Sequence, residues 1–69
     1  MARDAKPIPF AARLRALRER AGLSVYALAQ RCGVTRSHLG RLESGAQQPS
    51  WDTVCRVADA LGVGVQEFR

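Results

Sequence analysis

Apolar residues return every three or four positions through most of the chain, and no stretch sustains an alternation of period two. That rhythm predicts helices throughout. Gly22, Gly33, Gly45 and Gly62 each follow such a run, at the place where a helix commonly ends on a left-handed residue. The first helix is expected from Phe10 to Ala21. At about 100° per residue, Phe10, Leu14, Leu17 and Ala21 fall within a stripe about 60° wide that faces a core, and Arg18 lies just beside it. Ser24 is placed to cap a second helix running to Cys32, with Leu28, Ala29 and Cys32 turned inward. After a "GVT" corner, Thr35 caps a third helix that runs to Glu43 or Ser44. The segment "AQQPS" is a loop, and Pro49 and Ser50 introduce a fourth helix from Trp51 to Leu61. There Trp51, Val54, Cys55, Val57, Ala58 and Leu61 cover an arc of about 160°, so this helix is expected to be the most buried element. The closing "VGVQEF" reads as a short fifth helix whose Val63, Val65 and Phe68 either seal the core or form a partner surface. The expected fold is all-α, a compact five-helix bundle over residues 10–69.

Length limits what such a bundle can do. A chain of 69 residues has room for one core and little else, which argues against a multidomain machine, a ligand-sensing domain and most enzymes. No apolar run approaches the roughly 20 residues that span a bilayer. Residues 1–9, with Arg3, Lys6, Pro7 and Pro9, resist regular structure and read as a flexible basic arm or a frayed terminus. They are too short and too charged for a signal peptide, so the expected location is cytoplasmic. Cys32 and Cys55 form no CxxC pair and there is one histidine, so a metal site is not expected. Both cysteines are read as small buried thiols. No cofactor is expected.

Charge changes the picture more. Eleven basic residues oppose six acidic ones, a net charge of +5, and ten of the eleven are Arg. The planar guanidinium suits phosphates and base edges, so a polyanion is a natural partner; solvated surface charge is the plain alternative. Placement decides between them. A short helix, a corner at Gly33 and a second short helix make a helix-turn-helix. On the third helix Arg36, Gly40, Ser37 and Arg41 fall near 0°, 40°, 100° and 140°, at about 100° per residue, while Leu39 and Leu42 point the opposite way. A helix clamped by its apolar side, with two arginines opposite, can enter the major groove, where Arg pairs bidentately with guanine. Gly40 costs helix propensity in the middle of that face, which suits close approach to a base or a backbone, or reflects drift on a solvated surface. His38 lies at the margin of the face, in a structural or solvent role or at a DNA phosphate. No paired nucleophile or carboxylate accompanies it, so catalysis is not expected.

From Arg13 to Phe68 the stretches "LRALRERAGLS", "LAQRCGVTRSHLGRLESG", "PSW" and "VADALGV" resemble, in order and spacing, the Cro and phage-repressor type helix-turn-helix family. The resemblance implies a lambda repressor-like DNA-binding domain of five helices, in which Arg36, Ser37 and Arg41 read base edges. It implies that Ser24, His38 and the loop residues Gln47 and Gln48 approach phosphates, and that Arg18 and Glu43 form a structural ion pair. Two positions depart from the pattern. Many relatives carry Gln just after the cap of the second helix, where this chain has Val25; the hydroxyl of Tyr26 could take over that backbone contact, or its ring could pack on the first helix. The loop after Gly45, often basic, is here Ala46, Gln47 and Gln48, and uncharged amides release no counterions. Arg13, Arg15, Arg20 and Arg31 remain as candidate backbone contacts.

The expected function is a sequence-specific DNA-binding regulator of transcription, a repressor, that binds double-stranded DNA as a homodimer. Val63, Val65 and Phe68 are the candidates for the dimer contact. Two other readings stay open. The chain could be the antitoxin of a toxin pair, binding DNA and a partner protein, or an interaction module of the same fold with weak DNA binding. A toxin, or for the regulator a polymerase, is the partner protein these readings allow.

Overall fold

The computed structural model describes residues 10–68; the expected basic arm of residues 1–9 lies outside them. Four α-helices follow one another: α1 (Phe10–Arg20), α2 (Val25–Cys32), α3 (Arg36–Ser44) and α4 (Trp51–Leu61). A single 3-10 turn, Val65–Phe68, ends the described chain. The expected fifth helix is therefore corrected to one tight turn. Six described residues, 63–68, follow Gly62, and the Glu67 N–H pairs with the Gly64 carbonyl three residues back, the bond of a 3-10 turn rather than of an α-helix.

Side-chain caps start three of the helices. The Ser24 hydroxyl accepts from the Ala27 N–H, Thr35 from His38 and Ser50 from Thr53, at 3.0, 3.0 and 3.1 Å. Each cap satisfies a backbone donor that the helix cannot pair internally. At the other end of α2, Gly33 adopts φ 75°, a conformation that would strain a residue with a Cβ, and it lets the Val34 N–H turn back to the Ala29 carbonyl. That turn sets the angle between α2 and α3.

The core consists of Leu14, Leu28, Leu39, Leu42 and Val57, all fully buried, with Ala29, Cys32 and Ala58 beside them. α1 packs on α3, α2 on both α3 and α4, and the terminal turn on α1 and α4. Burial at about 1.5–3 kcal/mol per large aliphatic side chain makes these leucines the main driving force. Among the described residues no helix is long and apolar enough to cross a membrane.

Three expectations about burial change. Ala21 is exposed because α1 stops at Arg20 and Ala21 belongs to the following turn. Trp51, expected inside, is 69% exposed. It occupies the first position of α4, where no earlier helical turn is present to bring neighbours over its ring. With it α4 loses its rank as the most buried helix: only Val57 and Ala58 are fully covered there. Cys55 is half-buried, whereas Cys32 is buried, and burial pushes the Cys32 thiol up. Both thiols are free.

Candidate nucleic-acid interface

α3 has two unlike sides. Leu39 and Leu42 are fully buried, so they fix the roll of the helix against α1 and α2. Arg36, Ser37 and Arg41 lie on the exposed side, and Gly40 and His38 are half-buried between. Thr35 anchors the start of this helix, as described, and Gly45 ends it with φ 82°.

A second tie holds α3 to α1. Arg18 Nε donates to Glu43 Oε2 at 2.5 Å, Nη2 donates to Oε1 at 3.1 Å, and Nη1 donates to the Leu23 carbonyl at 2.8 Å. The two side chains are 12% and 9% exposed. This bidentate pair joins elements 25 residues apart, and the hydrogen bond to Glu43 holds the guanidinium above its already high ordinary range. Arg18 therefore stays charged in place and serves structure.

Around α3 the remaining candidates are scattered over exposed edges. Ser24 caps α2 through its oxygen and keeps its own proton free to donate. Tyr26 is 56% exposed and its hydroxyl accepts from Gln30 Nε2 at 2.9 Å, so its ring stands out from α2. Gln47 and Gln48 are exposed in the loop after Gly45, and Gln47 Oε1 accepts from Arg41 Nε at 3.1 Å. Arg20, Arg31, Arg36 and Arg41 form no ion pair among the described residues. Arg15 and Arg56 differ: each meets a carboxylate one turn away, Glu19 and Asp52, at 3.3 and 2.9 Å. Exposed pairs of that kind contribute about 0–1 kcal/mol and partly neutralise their arginines. Arg13 is half-buried. Among the described residues no group of three or more His, Cys, Asp or Glu could hold a metal ion.

The helix-turn-helix domain family matches residues 9–69. This chain belongs to that family. It falls in the Cro and phage-repressor branch, in keeping with its solved structural neighbours. Two uncharacterized HTH-type transcriptional regulators, from two strains of Mycobacterium tuberculosis, are 38% identical to it over 53 residues. Those residues are 77% of this chain, and the chain spans 38% of the length of these relatives. The restriction-modification controller protein C.AhdI from Aeromonas hydrophila has the same fold with a TM-score of 0.85 and 37% identity, over 87% of this chain and 91% of the controller. The clp gene regulator ClgR of C. glutamicum aligns with a TM-score of 0.84 and 29% identity, over 91% of this chain and 86% of its own.

The three candidates for a dimer contact part company in the structure. Val63 borders a cleft with Leu17, Ala21 and Leu61. Val65 and Phe68 instead line an open groove of about 270 Å³ with Phe10, Pro49, Trp51 and Val54. Phe68 also packs on Phe10, ring centroids 5.0 Å apart, so it seals the core as well as facing the groove. Trp51 is the surface residue that the sequence pattern concealed. Its place immediately after the Ser50 cap is the one signal that pointed outward.

Gly40 offers a direct test of how closely α3 approaches a ligand. A Cβ built there meets nothing within 4 Å, so the fold itself does not require glycine. Gly40→Ala is expected to raise stability by about 0.5–1 kcal/mol in urea denaturation, from helix propensity alone. The same variant is expected to bind DNA more weakly in a gel shift. Unchanged or tighter binding would show that nothing comes close to this position.

Proposed function

We propose that this chain is a sequence-specific DNA-binding regulator of transcription that lays α3 in the major groove. The observation that carries the reading is the two-sidedness of α3: Leu39 and Leu42 lock its inner side while Arg36, Ser37 and Arg41 stand exposed on the outer one. Arg36 and Arg41 supply guanidinium forks for guanine edges, Ser37 supplies a hydroxyl, and Gly40 leaves room for the approach. Ser24, Tyr26, His38 and Gln48 take phosphates, which sets register, and the arginines with no ion pair among the described residues supply the positive field. The protein acts by binding, as a repressor that occupies its operator, rather than by catalysis.

One short helix reads few base pairs, so the reading includes a homodimer on half-sites about 34 Å apart. The groove beside Trp51, Val65 and Phe68 is the favoured contact because the side chains lining it carry no charge, whereas Arg20 and Glu67 border the cleft at Val63. Two copies of a chain with net charge +5 meet there without opposing like charges.

Selection of bound duplexes from a random pool tests the proposal. The wild type is expected to enrich a near-palindromic motif. Arg41→Ala is expected to bind with the same motif except for relaxed preference at one base pair in each half-site, a loss of about 1–3 kcal/mol in discrimination. An unchanged motif would remove Arg41 from the readers. Absence of any enriched motif would overturn the regulator and favour an interaction module of the same fold.

A further inference from the structure

Arg41 and Gln47 hold each other at two points. The Gln47 backbone N–H donates to the Arg41 carbonyl at 3.3 Å, and Arg41 Nε donates to Gln47 Oε1 at 3.1 Å. The Ala46 N–H and the Ser44 hydroxyl reach the same carbonyl at 3.0 and 3.1 Å. The loop after Gly45 is thus folded back onto the last turn of α3, and it carries the Gln47 amide to the side of the arginine. An arginine on a helix surface ordinarily samples many rotamers, and ordering it on binding opposes affinity. Here the Nε–H is already engaged, while Nη1 and Nη2 have no hydrogen-bond partner among the described residues. Those two nitrogens form one edge of the guanidinium fork and can meet O6 and N7 of a guanine together.

We propose that Gln47 is a specificity-determining residue, one that positions the Arg41 guanidinium for base reading. This rests on the DNA-reading function proposed above. Gln47 acts through Arg41, and the uncharged loop serves to hold a reader in place. The brace needs an acceptor oxygen at position 47. A phosphate contact from the same side chain needs the amide N–H instead, and this difference separates the two roles.

The test uses the full chain and two variants. In the selection experiment Gln47→Ala is expected to relax preference at the same base pair as Arg41→Ala, by about fivefold, the effect of losing one exposed hydrogen bond. Gln47→Glu keeps an acceptor for Arg41 Nε but repels phosphate. It is expected to keep the wild-type preference at that base pair while binding every sequence more weakly. A Gln47→Ala protein that loses affinity equally for all sequences, with its motif intact, would overturn the proposal; so would a Gln47→Glu protein as relaxed as Gln47→Ala. The brace is also measurable without DNA. The Arg41 Nε–H resonance of the free protein is expected to be resolved and protected from exchange in the wild type and Gln47→Glu, and to lose that protection in Gln47→Ala. Protection that survives in Gln47→Ala defeats the brace itself. A protected resonance in a wild type that enriches no motif defeats the DNA reading, and the role of Gln47 with it, while leaving the brace standing.

Discussion

Glu43→Ala is expected to cost about 3–5 kcal/mol, the usual consequence of leaving a buried charge without its partner. Against about 0.05–0.15 kcal/mol per residue over 69 residues, the total stability is on the order of 3–10 kcal/mol, so this one substitution removes about a third or more of it. The loss is large because Arg18 cannot neutralise itself and its side chain is only 12% exposed: with Glu43 gone it keeps the Leu23 carbonyl and, at 4.0 Å, the exposed Glu19. Glu43→Gln retains shape and one acceptor and is expected to lose less. Replacing both members, Arg18→Met with Glu43→Leu, removes the stranded charge. It is expected to recover most of the loss but not all, since the Leu23 carbonyl is then left without its donor, at about 1–3 kcal/mol. Urea denaturation followed by circular dichroism measures all three. A Glu43→Ala unfolding free energy within about 1 kcal/mol of wild type would show that water screens this pair like any surface bridge.

Leu39→Ala is the second large effect, with an expected loss of about 2–5 kcal/mol from lost transfer free energy and the cavity left behind. Leu39 is fully buried on the inner side of α3, where it meets the part of the core shared with α1 and α2. Collapse around the cavity would have to move α3, because α1 is tied to it at Glu43 and its start is set by the cap at Thr35. Leu39→Met keeps the volume and is expected to cost less than about 1.5 kcal/mol. Denaturation and gel shift on the same samples check the prediction: DNA affinity per folded molecule is expected to fall more in Leu39→Ala than in Leu39→Met. Equal stability of Leu39→Ala and wild type would mean that α3 is held by something other than its apolar side.

The parts of this architecture that were legible in the sequence are those governed by local chemistry. Ser24, Thr35 and Ser50 each cap the helix that follows, because a short side chain with an oxygen satisfies the donor three residues on wherever it stands. Leu28, Leu39 and Leu42 were placed inside by period alone. The Arg18 and Glu43 pair needs more: the helical wheel puts Arg18 beside the apolar stripe, and only the family resemblance joins it to Glu43 across the chain. Trp51 shows where periodicity misleads. The wheel gives a direction around the axis, but burial also depends on whether anything lies over that end of the helix. The final turn at Val65 to Phe68 was too short for a period to define it. The bond from Arg41 to Gln47 has no signature at all in a pattern of apolar and polar letters, because it depends on the path of a loop. For the residues proposed to face DNA, sequence and structure give position and exposure, and the variants above address their roles.

The hydrogen-bonded caps have a kinetic consequence. Each start and stop of α2, α3 and α4 is specified by residues within a few positions of it, so little chain entropy has to be lost before neighbouring helices meet. Small helical domains organised in this way acquire their structure in microseconds to milliseconds. A molecule that recovers so quickly from an opening fluctuation spends little time with its leucines available to proteases or to other nascent chains.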